Sequence, residues 1–473
     1  MKKILIVFLL LITLTGCQEV TTTLSGVSDS YPATIRGRVM TDSGDMITAG
    51  IIITYENGDM ERVNTNMLSG YTLKLYTGSY TLTFERGYEY QTKTISIDVE
   101  NYKTYVIDDV RLTQLYDGPS KGMYLGDLHQ HTLNSDGKQE VDEVLMSNIN
   151  RGLYFGYLSD HNSAAGLPEW VQGNRFVAGY DVFGNAINFL ALRAVEITTD
   201  YGHFQSIGVG NVFEQADINS LKGDDPVTEI TDMVRETIRS GALAQINHPF
   251  AVSVLGFNYW EIIDEFDTIE IWNGLYQTNR NENLEAKLKW FDIINGYIVG
   301  ENKFLPATGG SDNHNIEGTY NSAYKDTSTA EGLYKDQYLR RGVYTGMPAT
   351  CVLIDGAFTE ENIMNALKNG NSFITNGPMI EAKIGSSSYG ETYHLVGASS
   401  IVIDLDVFSR DQIETINIYK NGVIVKTISI EDDSMYYSNQ VQIEGLSDND
   451  WIVIEVLGVE TLYAITNPIF IKN

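Results

Sequence analysis

Cysteine is almost absent: the 473-residue chain has two, Cys17 and Cys351. That excludes a disulfide scaffold and any cysteine-rich zinc module. Proline is scarce, with 9 residues, and 43 % of the chain is hydrophobic against 20 % charged. These proportions exclude collagen-like, coiled-coil and long disordered chains. Basic residues are also few: 32 Lys and Arg face 62 Asp and Glu, a formal charge of −30. A general grip on long nucleic acid is thereby excluded, because phosphates need a basic footprint. Small anionic ligands are not, since bound metal ions reshape the local field. What is present is length enough for about two to four packed domains.

The N-terminus reads as an address. Lys2 and Lys3 precede an apolar run from Ile4 to Leu14, too short to span a bilayer comfortably. It ends in Leu14-Thr15-Gly16-Cys17, which resembles a bacterial lipobox. The resemblance implies a signal peptide over 1–16, lipidation of Cys17 and an extracytoplasmic, membrane-anchored lipoprotein. Residues 17–31, rich in Thr, Ser and Val, read as a tether. No other segment reaches membrane-spanning length. Lipidation of Cys17 leaves Cys351 unpaired, and it is expected as a buried, inert thiol.

Three regions follow. Over 32–115 short runs alternate with period two, as in Leu73 and Leu75 or Tyr80, Leu82 and Phe84. They predict an N-terminal antiparallel β-sandwich, and its motifs resemble carboxypeptidase-regulatory-like domains. Over 120–377 apolar strands (123–128, 154–158, 190–195, 243–247, 268–272, 304–308) alternate with helices (141–150, 227–239, 284–295, 360–368), predicting a parallel α/β domain. Over 378–473 the period returns to two, with Asn421-Gly422 as a hairpin signal, predicting a C-terminal antiparallel β-sandwich.

Six of the seven histidines fall in the α/β region. His129 and His131, two apart, face one side of an extended segment. Asp136 follows in an acidic loop, and His161 lies in Ser159-Asp160-His161-Asn162. Glu196 ends the next strand with His203 seven residues on, His248 follows Asn247, and Asp312 and His314 close the series. Each cluster adjoins an apolar strand, where α/β domains place their sites. Imidazole with carboxylate suits zinc, manganese or iron.

These residues resemble the PHP domain, named for polymerase and histidinol phosphatase, over roughly 122–375. The resemblance implies a distorted (β/α)7 barrel between the two sandwiches, holding two to three divalent ions. By it, His129, His131, Glu196 and Asp312 take the first ion, with Glu196, His203 and His248 on the second. Asp136, His161 and His314 take the third. Glu270-Ile271-Trp272-Asn273-Gly274 and the segment from Gly342 to Pro378 resemble the CehA/McbA group of carbaryl-hydrolase-type enzymes.

The mechanism so implied uses a metal-bridging hydroxide as nucleophile, with Glu196, Asp312 and His203 as catalytic residues. A small phosphorylated substrate is expected, because three ions suit a group with several oxygens. Asn162, Arg193, Asn273 and Arg341 are candidate substrate contacts, and the tyrosine-rich 315–341 stretch a candidate lid. Two alternatives stay open: a carbamate, amide or ester hydrolase with the same site, and a non-catalytic surface protein binding glycan or protein. Envelope glycan contact through the β domains is compatible with either class.

Overall fold

The computed structural model describes residues 31–66, 70–180, 184–210, 213, 225–251, 255–274, 282–316, 345–397, 399–431, 434–459 and 462–473. Cys17, the tether up to residue 30, Arg341 and nearly all of the 315–341 stretch lie outside them.

The N-terminal region forms two sheets around its own core. One holds Tyr71–Leu75, Ala33–Thr41 and Thr104–Leu112; the other holds Met60–Asn64, Gly50–Tyr55, Gly78–Glu85 and Lys93–Val99. Alternate residues such as Ile35, Ile51, Leu73, Leu82 and Phe84 turn inward. The expectation of a purely antiparallel arrangement needs one correction. Ala33–Thr41 and Thr104–Leu112 run parallel, because the chain visits the other sheet between them before returning. Arg86 rivets this region to the next. Its Nη1 donates to Thr48 O at 2.7 Å and to Ile149 O at 2.9 Å, and its Nη2 to Ala178 O.

The central region contributes a run of seven strands: Met123–Asp127, Phe155–Leu158, Leu190–Thr199, Gly202–Ile207, Leu243–Ile246, Thr268–Asn273 and Ala307–Gly310. Most are buried on both faces, as expected for strands covered on each side. The last begins after Pro306, later than its sequence suggests, since proline donates no ladder hydrogen bond. Gly202–Ile207 departs from the expected parallel order. It pairs antiparallel with both neighbours, because a two-residue turn, not a helix, joins it to Leu190–Thr199. The ends of the run meet beyond the strands. His131 N–H donates to Asn313 O at 2.9 Å and Asp312 N–H to His129 O at 2.8 Å.

The helices have legible causes. Val141–Asn150 starts with a capping box between Glu140 and Glu143. Pro226–Arg239 is capped by Asp225, whose side chain accepts from Thr228 N–H. Glu360–Asn369 runs from Thr359 as N-cap to Gly370 at φ 75°, burying Ile363, Ala366 and Leu367. Another, Glu282–Val299, buries Trp290 and Ile294.

The C-terminal half shares a sheet with the central run. Met123–Asp127 pairs with Ala349–Leu353, which pairs with Ser372–Thr375, which pairs with Tyr463–Thr466. Trp451–Gly458, Ile413–Lys420 and Val423–Ser429 continue outward. A separate sheet of Met379–Lys383, Ser400–Phe408 and Tyr436–Glu444 packs Ile401, Ile403, Leu405 and Val407 into the same core. The boundary at 377 therefore divides neither the sheet nor the core. Asn421 and Gly422, at φ 53° and 82°, form the tight turn their pair signals. Cys351 is buried and unpaired, and burial pushes its thiol well up. His394 ends an exposed short strand, Thr392–His394.

Candidate metal centre

The ends of the seven-strand run converge on one carboxylate. Glu196 Oε1 lies 3.1 Å from His203 Nδ1 and 3.0 Å from His248 Nε2. Its Oε2 lies 2.9 Å from His161 Nδ1, 3.2 Å from His129 Nε2 and 3.4 Å from His131 Nε2. Asp312 Oδ1 stands 3.0 Å from His131 Nε2 and 3.4 Å from His129 Nε2. Nearer solvent, Asp136 Oδ1 is 3.1 Å from His314 Nε2 and 3.6 Å from His161 Nε2. All nine sequence candidates for ligands thus come together, in four overlapping sets whose donor atoms lie within 4.8 Å of one another.

Such a cluster is a poor hydrophobic core. His131 Nδ1, His203 Nε2 and His248 Nδ1 are buried without a hydrogen-bond partner, and His129 Nε2 faces only the carboxylates of Glu196 and Asp312. Each such atom costs about 1–3 kcal/mol if left unsatisfied. The donor chemistry fits divalent cations, which take imidazole and carboxylate together. Asn162, His248 and Asp312 also hold φ of 48°, 24° and 49°, a region side chains rarely adopt.

Around the cluster stands a shell that sequence reasoning did not assign. Glu270, buried within Thr268–Asn273, has Oε1 3.1 Å from His129 Nδ1 and accepts from His248 N–H at 2.9 Å. A proton on His129 Nδ1 donates to it and leaves the Nε2 lone pair for the cluster. Gly310 makes room: a Cβ there would lie 2.4 Å from His129 Cβ. Asp127 accepts from the N–H groups of His129, Ser311 and Gly346 at 3.2, 3.0 and 2.7 Å. Asp160 accepts from Thr132 N–H and Ser135 Oγ at 2.7 and 2.8 Å, fixing the loop after His131. The available signal was an acid inside or at the end of an apolar strand.

The candidate substrate contacts fare differently. Asn162 spends its amide on Thr198, donating to its O and accepting from its N–H at 3.1 and 3.0 Å. Asn273 donates to Glu270 Oε2 at 3.1 Å, and so orients the group that orients His129. Arg193 is exposed and sits beside Glu360 of the helix Glu360–Asn369, three residues from Glu196 and on the opposite face of the strand. Arg193 thus faces away from the cluster, whereas Asn162 and Asn273 stand beside it with their amides engaged by Thr198 and Glu270. Arg341 and Cys17 lie outside the described residues.

The electrostatics are uneven. Burial alone would raise Glu196, but His129, with hydrogen bonds from His161 and His203, holds it well below the usual carboxylate range. Burial likewise opposes ionised Asp312, and His129 and His131 overcome it. Burial disfavours a charged His129, yet Glu196, Asp312 and Glu270 hold it well above an ordinary histidine. His161 and His248 also rise, against burial, through Glu196. Burial pushes Asp127 up to about 6 and Glu89, bonded to Tyr154, up to about 7. His131 shifts down through burial.

Asp127 and Glu89 bind a proton more readily folded than unfolded. Their stabilisation is present in acid and lost as pH climbs through about 6 and 7. The lowered Glu196 and Asp312 act oppositely, but lose their contribution only in strong acid, and His131 opposes the trend near neutrality. Chelator-treated protein should therefore melt higher at about pH 5.5 than at about pH 8. Scanning calorimetry checks this, and the reverse order would refute it.

Solved structures offer distant likenesses. A two-domain protein of Bacteroides vulgatus ATCC 8482, described as containing a predicted PHP-like metal-dependent phosphoesterase, is 15 % identical, with 76 % of this chain and 98 % of that one covered and a TM-score of 0.39. An amidohydrolase from Chromobacterium violaceum, with sulfate and no metal bound, is 18 % identical over 40 % of this chain and 87 % of that one, at a TM-score of 0.27. No curated protein matches. Among the described residues, no helix is long and apolar enough to cross a membrane. Residues 1–18 match the prokaryotic membrane lipoprotein lipid attachment site, and the chain is a membrane-anchored lipoprotein.

Proposed function

We propose that this lipoprotein is an extracytoplasmic metal-dependent hydrolase of the PHP type, acting on a phosphoester of a small molecule. One observation carries the reading: the two oxygens of Glu196 stand within 3.4 Å of five imidazoles, three of which, His131, His203 and His248, bury a ring nitrogen without a hydrogen-bond partner. His129, His131, Glu196 and Asp312 would hold one divalent ion, and Glu196, with His203 and His248 both beside its Oε1, a second. Asp136, His161 and His314 would hold a third at the exposed rim. Bound there, such ions supply Lewis acidity and a water acidic enough to ionise near neutral pH.

The chain's own residues do the rest. Glu270 fixes the His129 tautomer, and Asn273 fixes Glu270. Asp127 ties the backbone of His129 to that of Ser311, so that His129 and Asp312 keep one separation. Burial of Glu196 and His129 excludes bulk water and strengthens every charge interaction in the site. Asp136 and His314 stay partly exposed, leaving one side open to a group with several oxygens.

The test uses the chain from Gln18 onward, loaded with manganese or zinc, on an aryl phosphodiester, an aryl phosphomonoester and an aryl carbamate. Phosphoester turnover is expected, lost about a thousandfold or more in Asp312→Ala. Carbamate turnover alone would replace the phosphoester reading with the carbamate one. Silence on all three, with metal bound, would overturn the hydrolase reading.

A further inference from the structure

A line of buried neutral side chains runs to the metal centre and has no part in the reading so far. Asn247, just before His248, donates from Nδ2 to Glu196 Oε1 at 2.9 Å. Its Oδ1 accepts from Gln245 Nε2 at 3.0 Å. Gln245 Oε1 in turn accepts from Thr308 Oγ1 at 2.7 Å, closer than the other acceptor of that hydroxyl, Ile269 O, at 3.2 Å. Thr308 belongs to Ala307–Gly310, Gln245 to Leu243–Ile246 and Glu196 to Leu190–Thr199, so the line crosses the seven-strand run. Glu196, Gln245, Asn247 and Thr308 are all fully buried.

An amide fits end for end, but this one has a single sense. A carboxylate only accepts, so the Asn247 nitrogen must face Glu196. Its second hydrogen points to another acceptor, Gln205 Oε1 at 3.4 Å, whose own amide is fixed by Nε2 donating to Leu128 O at 2.6 Å. The Asn247 oxygen is thereby left for the Gln245 nitrogen, and the Gln245 oxygen for the Thr308 hydroxyl. Every bond runs toward Glu196, and bonds aligned in one sense strengthen each other. Turning the amide over would set oxygen against oxygen at Glu196 and strand a buried donor of Gln245.

The line ends on one oxygen of the two. Oε1 is the oxygen beside His203 and His248, whereas Oε2 faces His129, His131 and His161. The amide nitrogen donates without offering a lone pair, so it marks a side of Glu196 without competing for an ion. We propose that Asn247, locked by Gln245, is a positioning residue that sets the rotation of the Glu196 carboxylate, keeping Oε1 on the His203–His248 pair and Oε2 on the His129–His131 pair. The role rests on the reading of Glu196 as a ligand shared by two ions. Without Asn247 the carboxylate is free to turn. The ion that suffers is the one beside His203 and His248, because the other keeps His129, His131 and Asp312.

Manganese titrated calorimetrically into the chelator-stripped chain from Gln18 onward reads this without turnover. Asn247→Leu, close in size but without the amide, should weaken one bound ion about tenfold or more and leave the tightest unchanged. Gln245→Met touches no candidate ligand. It removes the donor that locks Asn247, and should weaken the same ion by a smaller factor. Melting curves of the stripped variants show that each is folded. Electron paramagnetic resonance adds a readout that a merely structural role would not move: spin coupling between two manganese ions, present in the parent, should fall in both variants at matched metal content. Unchanged affinity and coupling in both variants, or equal weakening of every ion, would overturn the positioning role and leave the hydrolase reading standing. A parent that binds fewer than two ions would overturn the shared-ligand reading and this role with it.

Discussion

Glu196→Gln is expected to abolish metal-dependent turnover, by about a thousandfold or more, and to lower bound metal by at least one equivalent. The reason is geometric. Both carboxylate oxygens are in use, one toward His203 and His248, the other toward His129, His131 and His161. Glutamine keeps one neutral oxygen and turns the other position into a donor, which cannot ligate and repels a cation. The charge that holds His129, His161 and His248 high would also vanish. Elemental analysis after dialysis, beside the aryl-phosphoester assay, reads both effects. Full metal content with full turnover would remove Glu196 from the centre of the mechanism.

Lys287→Met should cost about 3–5 kcal/mol of stability, the range for stranding one partner of a buried ion pair. Lys287, on the helix Glu282–Val299, places Nζ 2.7 Å from Glu455 Oε1 in the C-terminal sheet, with both side chains buried. Tyr463, Asn417 and Tyr419 donate to the same carboxylate at 2.9, 3.0 and 2.9 Å. Burial would raise Glu455, and Lys287 is the first of the groups that keep it low. Remove the ammonium, and a buried charge stays behind with neutral donors alone. Adding Glu455→Gln should recover part of the loss, because the pair is coupled. Chemical denaturation measures this, and a loss under about 1 kcal/mol would show that the pair is not what joins helix to sheet.

The gathering of the candidate ligands was legible in the sequence because each stands beside an apolar strand, and strand ends converge in α/β folds. The gathering of His129, His131, His161 and His248 follows from that rule alone. What escaped was direction. Arg193 is near Glu196 in number, but three positions along a strand turn a side chain to the other face. Asn162 was legible as a neighbour but not as a clamp, since its use on Thr198 depends on a bridge between strands. Glu270 escaped because an acid within a strand shows no role until His129 is opposite it. In the fold, period and turn signals located the elements. They could not show that Ser372–Thr375 pairs with Tyr463–Thr466, because pairing across 90 residues leaves no local trace.

That long-range pairing bears on how the protein is made. The strand Met123–Asp127 carries the lead to His129, and its antiparallel neighbour Ala349–Leu353 arrives more than 200 residues later. The neighbour of that neighbour, Ser372–Thr375, is covered on its other edge by Tyr463–Thr466, later still in the chain. A chain that leaves the cytoplasm N-terminus first can therefore emerge with its central sheet still incomplete. The candidate ligands would then come together outside the cytoplasm, on the side of the membrane where any ion would be acquired.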